Sequence, residues 1–169
     1  MSIKIGVFAG SFDPITNGHL RVLDDSLKIF DKVILLVAFN PNKKGLFTQE
    51  ERIEIIQNVL PDNYKGSVDI DILPENIATS EYSQKLGATH LIRGIRSATD
   101  LDYEFQLNLV NKTISPSIET VYFLTPRELI EVSSSMVKGL MGINGWESVA
   151  RNYVHPFVVQ SMQNKMSAK

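Results

Sequence analysis

Cysteine is absent from the 169 residues. That excludes a disulfide scaffold, a thiolate zinc site and a cysteine nucleophile. It suits a reducing compartment, and the expected location is the cytoplasm. Long apolar runs are missing too. The longest, Val33 to Phe39, is seven residues, whereas a membrane span needs about 20. The N-terminus shows no basic region followed by a long apolar stretch, so neither a secretory leader nor a membrane partner is expected. Positive charge is not in excess: 17 Lys and Arg face 19 Asp and Glu, a net charge of −2. Dedicated nucleic-acid binders are usually basic, so no nucleic-acid partner is expected. Histidine is scarce, and the three present are too scattered to suggest a metal cage. His90, inside a strand, and His155, before Pro156, read as structural, and the lone Trp146 reads as packing.

Several signatures are also missing. No G-x-x-x-x-G-K-[ST] phosphate loop occurs, and no G-x-G-x-x-G follows the first strand. No G-x-S-x-G elbow marks a serine hydrolase. No fixed-period repeat or low-complexity segment appears.

What remains is an ordinary globular composition in a chain long enough for one domain with a real core. Apolar runs alternate with segments of helical period, which points to βαβ units around a parallel sheet. Strands are read at Lys4 to Ala9, Lys32 to Phe39, Val68 to Leu73, His90 to Ile92 and Thr120 to Leu124. The alternation Val-Asp-Ile-Asp-Ile in the third gives it one wetter face and places it near an edge. Helices are read at His19 to Phe30, from Thr48 to Pro61, within Pro74 to Leu86, and at Asp102 to Lys112. Ser133 to Met141 and Pro156 to Met166 close the chain. Thr48-Gln49-Glu50-Glu51 matches a capping box. The expected fold is therefore α/β: a Rossmann-like, doubly wound, five-stranded parallel sheet in a single domain, residues 1–169, with C-terminal helices.

Ligands of such sheets bind beyond the carboxyl ends of the strands. After the first strand comes Gly10-Ser11-Phe12-Asp13-Pro14-Ile15-Thr16-Asn17-Gly18-His19. After the second comes Asn40-Pro41-Asn42-Lys43-Lys44, after the fourth Arg93-Gly94-Ile95-Arg96, and after the fifth Ser133-Ser134-Ser135. Each piece alone has an ordinary reading: a solvated lysine turn, surface arginines, or a helix cap for the serines and for His19. Together they bring three cationic or imidazole-bearing loops to one rim. The serine segment adds hydroxyls and helix N-terminal amides, which attract anions. The rim suits phosphates. Asp13 has two readings, a magnesium ligand or an Asx turn that holds its loop.

The run Gly-Ser-Phe-Asp-Pro followed by Thr-Asn-Gly-His resembles the G-[TS]-F-D-P-x-[TH]-x-G-H signature of nucleotidyltransferases. Arg93-Gly94-Ile95-Arg96 with Asp102-Tyr103-Glu104, and Val132-Ser133-Ser134-Ser135-Met136-Val137-Lys138, resemble two blocks of bacterial phosphopantetheine adenylyltransferases. Pro41-x-Lys43-Lys44 and Phe47-Thr48-x-Glu50-Glu51-Arg52 also fit, so the resemblance runs in order from about residue 3 to residue 140. It implies adenylyl transfer from ATP to 4′-phosphopantetheine, with Mg2+, giving dephospho-coenzyme A and pyrophosphate.

By that resemblance His19, Arg96 and Lys43 are the catalytic cations and donors. Ser11, Phe12, His19, Gly94, Ile95, Arg96 and Glu104 would bind ATP, with Leu129, Ile130, Glu131, Val132, Ser133, Ser134 and Ser135. Ser11, Lys43, Thr79 and Arg93 would hold the acceptor. Thr79 departs from the family, which often has an apolar residue there, and the tail from Gly142 to Ser148 lacks the usual Gly-Gly-Asp-Val pattern. A homohexamer and feedback by coenzyme A are also implied. The competing readings are a transferase with another acceptor, such as nicotinamide mononucleotide, one using CTP with a phosphorylated alcohol, and an ATP-binding module without turnover.

Overall fold

A computed structural model describes residues 3–39 and 45–167. Lys43 and the rest of the loop at 40–44 lie outside the described residues. The sheet is built from β1 (Ile5–Gly10), β2 (Lys32–Val37), β3 (Val68–Ile72), β4 (His90–Ile95) and β5 (Glu119–Leu124). All pairs are parallel, in the order β3-β2-β1-β4-β5. The chain builds outward from β1 to β3, then returns to β1's other side with β4. That reversal opens a crevice beyond the ends of β1 and β4. β3 is an edge strand, as its alternating pattern suggests.

Successive side chains of a strand point to opposite faces, and here helices cover both. Phe8, Val33, Leu35, Val37 and Ile92 belong to one buried cluster, and Val7, Ala9, Ile34, Leu36 and Leu91 to the other. That is why the first two strands read as unbroken apolar runs. Helix α1 (Asn17–Ser26) lies so close to β4 that a Cβ on Gly94 would come within 2.9 Å of Val22 Cγ2. Glycine there lets α1 sit low over the crevice.

Helix α2 (Gln49–Val59) starts from the expected capping box, with Glu51 N–H donating to Thr48 Oγ1 at 3.2 Å and Thr48 N–H to Glu51 Oε2 at 2.8 Å. Helix α3 (Thr79–Lys85) is shorter than the segment it was read within. α1 also stops earlier, at Ser26, although Phe30 is still buried. β4 runs three residues past the expected Ile92, so Arg93, Gly94 and Ile95 lie inside the strand. Pairing with β5 carries it on, through Arg93 with Tyr122, Gly94 with Phe123 and Ile95 with Leu124. Local pattern could not show this, because Arg93 and Gly94 break the apolar run.

Helix α4 (Ala98–Ile114) begins four residues before the expected Asp102, capped by Ser97, which accepts from Asp100 N–H. It is inverted relative to an ordinary surface helix. Its sheet side carries a polar ladder at intervals of four. Asp100 pairs with Arg96 at 2.9 Å, Glu104 with Arg93 at 3.1 Å, and Lys112 with Glu119 at 2.5 Å. Between them, Thr120 donates to Asn108 at 2.7 Å. No described residue of α4 is buried, and Leu101, Phe105, Leu109, Val110 and Ile114 are exposed.

The C-terminal part holds α5 (Ser134–Gly139), α6 (Trp146–Ala150) and α7 (Pro156–Ser167). Two closing helices were expected. The third, α6, is five residues long, too short to show a period. It follows left-handed Gly145 (φ 76°) and buries Trp146 in the larger cluster. His90 lies against Phe30 with the rings tilted at 5.3 Å, and His155 accepts from Phe157 N–H at the start of α7, so each has a packing or capping partner. No helix among the described residues is long and apolar enough to cross a membrane.

Candidate active site

The crevice at the strand-order reversal is a cleft of about 270 Å³. Its floor is Phe8 and Ala9 of β1 with Arg93 and Gly94 of β4. One wall is Ser11, Thr16, Gly18 and His19, and the other is Val132 to Ser135 with Thr125. Arg96 and Glu104 close the end toward α4. A larger groove, about 580 Å³, lies at the β3 edge around Leu60, Tyr64 and Asp71. It has no comparable set of converging arginine, imidazole and helix-start donors.

His19 is the third residue of α1 and half-buried. Its Nδ1 accepts from Thr16 N–H at 3.0 Å and lies 2.9 Å from Thr16 Oγ1. An amide N–H can only donate, so the neutral ring carries its proton on Nε2, the nitrogen left for the cleft. Phe12 stands edge-on to the ring at 5.2 Å and Phe8 is tilted against it at 6.1 Å. Burial, and then the charge of Arg96, push the imidazole down to about 4. At neutral pH His19 is an uncharged donor with a fixed orientation.

Phe12 holds that orientation from behind. It is 1% exposed, and its backbone is left-handed, φ 44°. A bulky residue seldom adopts this conformation, and such strain costs about 1–3 kcal/mol. The ring sits against Gly10, where a Cβ would meet it at 3.2 Å.

The two arginines are held by acids of α4. Arg93 pairs with Glu104 and also donates to Ala9 O at 2.8 Å. Arg96 makes a two-pronged contact with Asp100, Nε at 2.9 Å and Nη2 at 3.3 Å, and Nη1 reaches Val132 O at 3.4 Å. On the opposite wall Ser133 caps α5 by accepting from Met136 N–H, and Ser134 donates to Pro14 O at 2.8 Å. That last bond ties the serine segment to the β1 loop.

Asp13 does not face the cleft as a free ligand. It is 3% exposed and accepts from Leu46 N–H (2.9 Å), Phe47 N–H (2.9 Å) and Lys138 Nζ (2.7 Å), with Arg52 Nε 3.5 Å away. Arg52 in turn donates to Phe47 O and Ser11 O. Asp13 is thus a long-range clamp joining the β1 loop, the approach to α2 and α5, rather than a local Asx turn. Among the described residues, no group of three or more His, Asp or Glu side chains is placed to hold a metal.

Of the residues singled out from sequence, Ser11, His19, Arg93, Gly94, Arg96, Glu104, Val132, Ser133, Ser134 and Ser135 line one cleft. Phe12 and Ile95 are buried beside it, at 1% and 4% exposure. Leu129 ends a short 3-10 turn, Arg127–Leu129, and accepts from Val132 N–H. Leu129, Ile130 and Glu131 lead into the serine wall without lining it. Thr79 starts α3, away from the cleft, and Lys43 lies outside the described residues. Thr16 and Asp100 were missed. Each sits three residues from its helix-cap partner, in Thr16-x-x-His19 and Ser97-x-x-Asp100, and that spacing was the available signal.

The chain matches the cytidylyltransferase-like family over residues 7–140. It is 41% identical over 165 residues to the phosphopantetheine adenylyltransferase of Chromobacterium violaceum, covering 98% of this chain and 99% of that protein. The enzyme of the same name from Geobacter sulfurreducens is 42% identical over 167 residues, covering 99% and 98%. The chain belongs to the phosphopantetheine adenylyltransferase family. Among solved structures, Plasmodium falciparum nicotinic acid mononucleotide adenylyltransferase superposes with a TM-score of 0.69 at 15% identity, over 96% of each chain. Thermotoga maritima TmcAL, bound with alpha-thio ATP, gives 0.65 at 14% identity, over 98% of this chain and 56% of that one. These two likenesses concern the fold. In this chain the motif blocks read from the sequence converge on the cleft.

Proposed function

We propose that this cleft transfers the adenylyl group of ATP to 4′-phosphopantetheine, giving dephospho-coenzyme A and pyrophosphate. The observation that carries the reading is the gathering of His19, Arg93, Arg96 and the serine helix start on one rim, in a chain of this family. An oxygen of the acceptor's phosphate attacks the α-phosphorus of ATP. The bond from that phosphorus to the bridging β-oxygen breaks, and pyrophosphate leaves. A phosphate monoester is already anionic near neutral pH, so no general base is required. The barrier is set by alignment and by repulsion between anions. Neutral His19 donates from Nε2 to a phosphate oxygen, and Arg96 and the amides at the start of α5 take up charge that develops as pyrophosphate departs. Arg93 and Ser11 hold the acceptor phosphate, together with Lys43. Glu104 and the wall from Val132 to Ser135, with the approach through Leu129, Ile130 and Glu131, receive the nucleotide.

Magnesium is read as arriving with ATP. The cleft's carboxylates, Glu104 and Asp100 beside it, are paired with arginines, and Asp13 is taken up by three donors and the charge of Arg52, so the described residues do not fit a resident metal. Mg2+ bound through phosphate oxygens and water requires no protein cage.

A groove of about 330 Å³ opens past the ends of β2 and β3, lined by Phe39, Leu73, Pro74 and Ile77 together with the polar Glu75 and Asn76. Its mixed lining, four apolar side chains with an acid and an amide, suits the acceptor's pantetheine arm, whose methyls alternate with amides, and coenzyme A, which contains that arm, would compete there as a feedback ligand. The outward face of α4 supports self-association: Phe105, Leu109 and Val110 are 57%, 54% and 56% exposed on a helix whose polar side is turned inward. The homohexamer is carried over from the family resemblance.

The test is pyrophosphate release from ATP with 4′-phosphopantetheine, beside nicotinamide mononucleotide and CTP with phosphorylated alcohols. Release with 4′-phosphopantetheine is expected. Its absence sinks the reading, and release with another acceptor identifies the alternative transferase.

A further inference from the structure

We propose that Asp100 is a positioning residue for adenylyl transfer, acting through Arg96. The proposal rests on the reading of Arg96 as a phosphate contact. An arginine on a loop has long, flexible reach, and its useful position must be imposed. Here the imposition is over-determined. Asp100 accepts from Nε and Nη2 of Arg96 and also from the Arg96 backbone N–H, at 3.2 Å. The same residue donates its own N–H to Ser97 Oγ, which fixes the carboxylate on the first turn of α4. Two-pronged pairing sets the plane of a guanidinium as well as its place. It uses two of the five N–H groups and leaves three, two on Nη1 and one on Nη2. Nη1 spends one on Val132 O at 3.4 Å, so two remain on an arginine that lines the cleft.

The location adds to the case. The pair is only partly exposed, 35% and 27% for the two side chains, so it is neither a freely hydrated surface bridge nor a sealed core pair. Asp100 is also the first rung of α4's polar ladder, with Glu104 one turn on holding Arg93. Both cleft arginines are therefore indexed to the same helix face. A cap role alone would require Asp100 N–H and Ser97, not a carboxylate turned back onto the arginine. A purely counter-charging acid would not need three separate contacts with one residue.

The experiment compares Asp100→Asn, Asp100→Glu, Arg96→Ala and the double variant Arg96→Ala/Asp100→Asn. Each is measured for pyrophosphate release from ATP and 4′-phosphopantetheine, for calorimetric binding of ATP with MgCl2, and for thermal midpoint. Asp100→Asn is expected to lower kcat roughly 10- to 100-fold, the scale of a misplaced group, with the KM for 4′-phosphopantetheine little changed. Asp100→Glu should recover part of the loss. In the Arg96→Ala background the second change should cost nothing further, because the residue it positions is gone.

Normal turnover in Asp100→Asn overturns the proposal while leaving the role of Arg96 intact. Tighter ATP with unchanged kcat also overturns it, by showing a counter-charge that the phosphates displace. Additive losses in the double variant overturn it in favour of a structural role, which a lowered thermal midpoint in both backgrounds would reveal. If Arg96→Ala itself is silent, the reading of Arg96 fails and the proposal fails with it.

Discussion

Replacing Asp13 by Asn tests the clamp beneath the cleft. The change keeps shape and one acceptor oxygen, so Leu46 or Phe47 N–H can still be satisfied. It removes the charge that faces Lys138 at 2.7 Å and Arg52 at 3.5 Å, and it turns an amide NH2 toward one of the cations. Breaking a buried ion pair by removing one partner costs about 3–5 kcal/mol. Lys138 keeps a quarter of its side chain exposed and can rehydrate, whereas Arg52 cannot, so about 3 kcal/mol is expected. In a chain of this length that lowers the thermal midpoint by roughly 6–12 °C. Urea unfolding of wild type, Asp13→Asn, Lys138→Met and the double variant should show the two single losses failing to add.

The pH dependence follows from the same geometry. Burial by itself raises the Asp13 carboxyl, but the bonds from Lys138, Leu46 and Phe47 and the charge of Arg52 outweigh it, and the net direction is below the ordinary 3.8. Between the depressed folded value and 3.8 the unfolded chain binds more protons. The clamp's contribution is therefore full above 3.8 and fades as pH falls through the folded value. The gap between wild type and Asp13→Asn should be level near neutral pH and narrow only in acid. It should also be the same with EDTA as with magnesium. A variant within about 0.5 kcal/mol of wild type at neutral pH would refute the clamp, and a gap that appears only with magnesium would restore Asp13 as a metal ligand.

Other outcomes follow from the cleft and from α4. His19→Ala should bind ATP nearly as wild type does and turn over roughly 100-fold or more slower, as when a preorganised donor is lost; near-normal turnover would make His19 only a helix cap. With the imidazole held down to about 4, kcat/KM should show no limb from His19 near 6.5, and an NMR titration of the free protein that finds an ordinary value would contradict its burial. Lys43→Ala should chiefly raise the KM for 4′-phosphopantetheine, and an effect confined to ATP affinity would refute its assignment to the acceptor. Leu109→Asp on the outer face of α4 should shift the protein to smaller species in sedimentation velocity while leaving the folded protomer intact.

Some of this was legible because it is written in local pattern. Continuous apolar runs with no polar face revealed strands covered on both sides, and their alternation with helical segments gave a parallel sheet. Parallel sheets place their ligands beyond the strand ends, so the loops to search were known in advance. The motif blocks named the family because phosphate sites demand particular small, cationic and hydroxyl residues at fixed spacings.

Local pattern was enough to establish the kind of sheet, the rim and the residue types on it. Tertiary structure decided how those residues are held. Asp13 reaches partners 33, 34 and 125 positions away, and no local pattern separates a clamp of that range from a turn or a metal ligand. Thr16 decides which nitrogen of His19 carries the proton. The length of β4 depended on its neighbour β5, since strand pairing can carry a polar Arg93 and a bare Gly94 that break an apolar run. The inversion of α4 was invisible for a related reason. A period of four in Asp100, Glu104, Asn108 and Lys112 reads as a solvated face until the sheet supplies Arg93, Thr120 and Glu119 opposite it, and the loop after β4 supplies Arg96. Pattern records which residues share a face, and only packing decides which face is turned inward.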